Sequence, residues 1–141
     1  MPYREKTAWL SLIAMALTFG PYFTIVAARS APGQPLPDLH QLRLFALTAV
    51  VQMLILGVGY LYLRFGSPRE ERMLPDERDR AITRRSIGAA YYVLIAGMVL
   101  VGCIMPFNSG GCAIVNAALF MIVIAEVVHH GVAVVSYRRQ A

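Results

Sequence analysis

Four apolar runs dominate this chain, each long enough to cross a bilayer as a helix: Ala8 to Ala28, Leu44 to Leu63, Ile87 to Met105 and Cys112 to Val135. At 1.5 Å per residue, runs of about 19–24 residues measure about 28–36 Å, against a hydrocarbon core of about 30 Å. Nothing alternates at period two, and a lipid-facing backbone must satisfy its own hydrogen bonds, so the runs read as helices. The expectation is an all-α, polytopic membrane protein. Its four transmembrane helices form a single domain over residues 1–141, with a loop over residues 64–86 between spans two and three.

The position of the charges sets the orientation. Hydrophobic residues make up 57% of the chain and charged residues 15%, with a net charge of +5. A nucleic-acid binder would carry that surplus as a basic stripe interleaved with aromatics; here the thirteen Lys and Arg fall almost entirely between the apolar runs. The lipid bilayer, and no nucleic acid, is the expected partner. Arg64, Arg69, Arg72, Arg78, Arg80, Arg84 and Arg85 separate runs two and three, Arg4 and Lys6 precede run one, and Arg138 and Arg139 follow run four. The opposite side has only Arg29 and Arg43. Eleven basic residues against two place both termini and the central loop in the cytoplasm, N-in and C-in, in a bacterial inner membrane. Trp9, Tyr62 and Tyr137 fall where interfacial aromatics belong. A secretory leader is the rival reading of run one, since Ala27-Ala28-Arg29-Ser30-Ala31 resembles a cleavage site. The run is too long for one and contains Gly20-Pro21, so it reads as a retained, kinked span.

The connectors differ in kind. Pro32, Gly33, Pro35 and Pro37 make the first an extended one, while Pro106 to Gly111 is a tight, uncharged hairpin. Between runs two and three, Pro75-Asp76-Glu77-Arg78-Asp79 reads as a helix start with Asp76 as N-cap and acidic residues in the first turn. Helix three then begins near Asp76 and extends about three turns beyond the membrane. Asp76, Glu77, Arg78, Asp79, Arg80 and Arg84 there form an alternating-charge surface for a protein partner, against the plainer reading of a solvated, self-paired helix extension. A faint echo links Leu12-Ile13-Ala14 and Gly20-Pro21-Tyr22-Phe23 with Leu94-Ile95-Ala96, Gly102 and Pro106-Phe107; a two-plus-two duplication with parallel halves would produce it.

Arg4-Glu5-Lys6 before Trp9, Gly20-Pro21-Tyr22-Phe23 at the end of run one, and Asp76-Glu77-Arg78-Asp79-Arg80 with Ile82 before Tyr91-Tyr92 resemble the corresponding motifs of a group of small bacterial four-helix inner-membrane proteins. The resemblance touches both halves of the chain through short motifs. No activity is assigned to that group, so the resemblance implies the fold and carries over no catalytic residue.

Glu126, His129 and His130 are the notable polar groups inside a span. Spacings of three and four put both imidazoles within one turn of the carboxylate, about 3 Å to about 9 Å from the middle of run four. Tyr60, Tyr91 and Tyr92 come at similar depth and Gln52 and Thr18 near the midplane, which predicts a polar layer built from several helices. Three readings fit the cluster. It hydrogen-bonds across the bundle and specifies packing; it relays protons or a cation, because burial favours a neutral carboxyl and imidazole titrates near neutral pH; or it ligates a metal or haem. Di-iron bundles need two Glu-x-x-His motifs and further carboxylates, and this chain has one, so ligation would require a homodimer. No cofactor is expected. A homodimer is, packed through the small residues Gly88, Ala89, Ala96, Gly97 and Gly102 of helix three.

Cys103 and Cys112, the only cysteines, flank the outer hairpin, where a disulfide or two inert thiols are the alternatives. A thiol oxidase of the four-helix type would need a second pair. With no nucleophile–base set and no phosphate loop, the chain does not read as an enzyme. An interaction or regulatory protein using its charged loop is the first expectation; the alternative is a proton- or cation-linked sensor or transporter using Glu126, His129 and His130. A small multidrug exporter is the nearest transport analogue, but its carboxylate lies in the first helix.

Overall fold

The computed structural model describes residues 3–29, 39–66 and 76–139. The proline-rich connector and the loop arginines Arg69 and Arg72 lie outside the described residues. What is described is helical: α1 (Tyr3–Arg29), α2 (Leu39–Gly66), α3 (Glu77–Val99) and α4 (Gly111–Arg139), without a strand among them. Each apolar run lies inside a helical stretch that outlasts it at both ends. Four helices long and apolar enough to cross a membrane make this a multi-pass membrane protein.

Local chemistry explains the ends. The Asp76 carboxylate accepts the Glu77 N–H at 2.8 Å, and Glu77 and Asp79 set negative charge against the positive end of the α3 dipole. At its other end α3 widens into a π turn (Leu100–Ile104) and closes in a 3-10 turn (Met105–Phe107). Pro106 has no N–H to give the carbonyl four residues back, so one bond of the regular ladder is missing where the π and 3-10 turns set in. Asn108 and Ser109 both donate to the Met105 carbonyl, and α4 starts two residues later. Pro21, by contrast, does not end α1, which runs through it.

The helices form a row, α2–α1–α4–α3, in which α1 packs on α2 and α4, and α3 packs on α4. A repeat with parallel halves would pair α2 with α3 as it pairs α1 with α4; among the described residues that second contact is at most marginal. Of the small residues of α3, Gly97 serves packing within the chain, while a Cβ at Gly88 or Gly102 would meet nothing within 4 Å. Gly97 is buried, and a Cβ there would lie 2.6 Å from the Met121 Sδ, so the glycine is what lets α3 and α4 approach. Gly59 plays the same part for α2 against Leu10 of α1.

The distribution of polarity suits lipid. The buried face of α1 is Glu5, Ala8, Ser11, Ala14, Thr18 and Tyr22, whereas Ile13, Leu17, Met53, Leu54, Val58 and Val99 are exposed. The polar groups of α1 therefore face the bundle interior while large apolar side chains face outward, the reverse of a soluble domain.

Candidate functional site

Polar side chains of α1 make hydrogen-bonded rungs along the row. At one level Tyr22 donates to the Asn116 Oδ1 of α4 at 3.4 Å, and Gln41 of α2 donates to the same oxygen. Near the middle the Thr18 hydroxyl is shared between the Ala14 carbonyl and Gln52 Oε1, at 2.9 Å and 2.6 Å. Further down, the Ser11 and Tyr60 hydroxyls lie 2.9 Å apart. Each rung joins helices that have no hydrophobic drive to associate in lipid, at about 0.6 kcal/mol apiece.

Below the rungs, at the end where α1 and α3 begin and α4 finishes, charged groups clamp three helices together. Arg4 Nε lies 3.3 Å from Asp79 Oδ2, and the Tyr137 hydroxyl donates to Asp79 Oδ1 at 2.9 Å. Glu5, which is buried, meets Arg138 Nε at 3.6 Å, and the same guanidinium lies 5.3 Å above the Trp9 ring. One carboxylate of α3 and one of α1 are thereby neutralised across helices, and the first turn of α3 is tied to its neighbours.

Between clamp and rungs lies a cavity of about 180 Å³, walled by all four helices. Its polar lining comes from Arg4, Thr7, Tyr60, Thr83, Ser86, His129, His130 and Tyr137. Four of the hydroxyls have committed their protons elsewhere: Thr7 to the Arg4 carbonyl, Thr83 to the Asp79 carbonyl, Ser86 to the Thr83 carbonyl and Tyr137 to Asp79. What such oxygens have left to offer is lone pairs. The cavity shares Arg4 and Tyr137 with the clamp.

The predicted polar layer is only partly assembled. Gln52 pairs with Thr18, and Tyr60 reaches the cavity, but Tyr91 and Tyr92 stack edge-on against each other on the outside of α3. Those two are corrected to outward-facing residues: depth along a helix fixes neither side of it, and they stand about 140° and about 120° round from Ser86. His129 and His130 line the cavity with ring centroids 4.9 Å apart. Glu126 does not join them there. Its side chain is 52% exposed and its Oε2 lies 3.8 Å from His130 Nε2. Among the described residues no group of three His, Cys, Asp or Glu side chains is placed to hold a metal ion.

The predicted partner surface is also revised in one member. Asp79 is bound by Arg4 and Tyr137, while Asp76, Glu77, Arg78, Arg80 and Arg84 are exposed around it. Tyr137, placed at the interface by its position in the sequence, is buried. Cys103 and Cys112 are not joined: Cys103 is exposed on the π turn, whereas Cys112 is half-buried in the first turn of α4. Sequence reasoning missed Arg4, Thr7, Thr83 and Ser86, short or terminal polar residues with no spacing signal. No family model, curated protein or solved structure matches the chain.

Proposed function

We propose that this is a small inner-membrane regulatory protein, with both termini in the cytoplasm, that presents the first turns of α3 to a protein partner. The observation that carries the reading is the sharing of Arg4 and Tyr137 between the Asp79 clamp and the cavity wall. Whatever occupies the cavity bears on the residues that hold the α3 segment, so occupancy and presentation are coupled through common side chains. Asp79 fastens one face of that segment, and Glu77, Arg80 and Arg84 stay exposed. The eleven-to-two distribution of basic residues supports a cytoplasmic location for it. The test is a photo-crosslinking side chain at Arg84 in intact cells. One dominant protein adduct is expected, diminished when Tyr137→Phe frees the segment. Absence of any adduct from Arg80 and Arg84 would overturn the reading.

The cavity supports a second reading, a sensor for a small cation. Its wall carries two imidazoles and hydroxyl oxygens whose protons are already donated, an acceptor surface suited to a ligand that donates hydrogen bonds. Asp79 balances the charge of Arg4 at the rim. Ammonium or a small primary amine has the required chemistry. Ammonium chloride should raise the melting temperature of the purified protein above that in potassium chloride, and His129→Phe should remove the difference. Equal melting in the two salts would sink this reading.

A further inference from the structure

We infer that a second copy of this chain covers the face of α4 that bears Glu126. α4 has 29 residues, and Glu126 stands one residue past its midpoint. Among the described carboxylates it stands farthest from a helix end, and half of its side chain is exposed on the outside of the row. Ile122 and Val127 beside it are exposed too, so the surroundings of this carboxylate are an apolar, lipid-facing surface. A charge in that position is among the most costly placements in a membrane.

The chain cannot cover it from within. α3 occupies the side of α4 at Met121, opposite Gly97, and α1 packs along another side, where Tyr22 meets Asn116 and Phe23 meets Phe120. Glu126 lies on what remains. Among the described residues the polar group recorded beside it is His130, a turn away at 3.8 Å and largely covered, which leaves half of the carboxylate side chain open.

A partner for this face must bring a hydrogen-bonding or cationic group at the same depth on an otherwise apolar surface. A second copy in the same orientation does so with the residues already named. In parallel packing each side chain enters a hole formed by residues on neighbouring turns of the facing helix. Glu126 of one copy then reaches His130 of the other, and the two-fold axis repeats the contact. The face is self-complementary, acid and base one turn apart, and the two-fold gives each Glu126 a second imidazole. The contact joins the Glu126–His130 pairs of two copies into one membrane-embedded cluster, and it stands whether or not the α3 segment has a partner.

The experiment uses the full chain in lipid vesicles, with association followed by energy transfer between labelled copies. Wild type is expected to be dimeric, and Glu126→Leu to raise the dissociation constant at least about tenfold, since the variant both removes the contact and makes the uncovered face comfortable in lipid. In a Cys103→Ser/Cys112→Ser background, oxidation should link copies of Ile122→Cys and leave Met53→Cys, on the outside of α2, unlinked. A monomeric wild type, an unchanged constant for Glu126→Leu, or linkage at Met53 in place of Ile122 would each overturn the inference.

Discussion

The Tyr137 phenol donates to the Asp79 carboxylate at 2.9 Å, and that bond ties the last turn of α4 to the first turn of α3. Arg4 completes the contact from α1. One carboxylate thus joins three helices at this end, beside the Glu5–Arg138 contact between α1 and α4, and its removal should loosen the start of α3.

Tyr137→Phe keeps the ring and removes only the donor, so the loss should be about 0.5–1.5 kcal/mol, with Asp79→Asn costing more because Arg4 also loses its counter-charge. Amide exchange of residues 77–82 reads the effect directly. Exchange there should speed up in Tyr137→Phe while the middle of α4 is unchanged. Equal protection in variant and wild type would show that the bond does not hold α3.

The rung between Thr18 and Gln52 lends itself to a double-mutant cycle. Thr18→Val strands a buried amide, and Gln52→Leu strands a hydroxyl that still has the Ala14 carbonyl. The first should therefore cost more. Making both changes should recover part of the sum, with a coupling of about 0.6–1.7 kcal/mol measured by unfolding in detergent. Strict additivity would mean that the two side chains do not stabilise each other.

How much of this could be read beforehand follows from the range of each signal. The spans were legible because hydropathy over about 20 residues is a bulk property, indifferent to which side of a helix faces where. The α3 start was legible because Asp76 and its cap partner are adjacent in sequence. Glu126 and His130 were paired by a four-residue spacing, which guarantees proximity on a helix. Depth along a helix carries no information on rotation about its axis, so sequence alone puts Tyr91 and Tyr92 in the interior and gives no signal for Ser86. Contacts between remote segments left no trace at all: Arg4 and Asp79 meet only because α1 and α3 both lean on α4 at the same end.

Topology has a direct test in reporter fusions. Fusions after Arg69 and after Arg139 should read cytoplasmic, and one after Gly33 should read external, as the eleven-to-two basic asymmetry requires. Because Glu5 and Arg138 meet, the start of α1 and the end of α4 lie on one side in any orientation. An external signal from the Arg139 fusion would invert the whole assignment, whereas opposite signals from Arg69 and Arg139 would break the four-span scheme.

The approach of α3 to α4 at Gly97 makes the last prediction. A Cβ at Gly97 would lie 2.6 Å from Met121 Sδ, 2.8 Å from its Cγ and 3.0 Å from its Cβ. Sδ and Cγ can swing away at the cost of a rotamer change, but Cβ is fixed to the α4 backbone, so α3 and α4 would have to separate slightly. Gly97→Ala should therefore destabilise the protein by about 1–3 kcal/mol, although alanine is the better helix former. Gly102 is the internal control: a Cβ there meets nothing within 4 Å, and Gly102→Ala should be near neutral. Met121→Ala removes the two movable atoms and leaves the fixed one, so in the Gly97→Ala background it should restore only part of the loss. Thermal unfolding of the three variants and wild type in one mild detergent separates the cases. A neutral Gly97→Ala would mean that α3 and α4 are free to move apart, and the tight contact between them would not be what holds this half of the row.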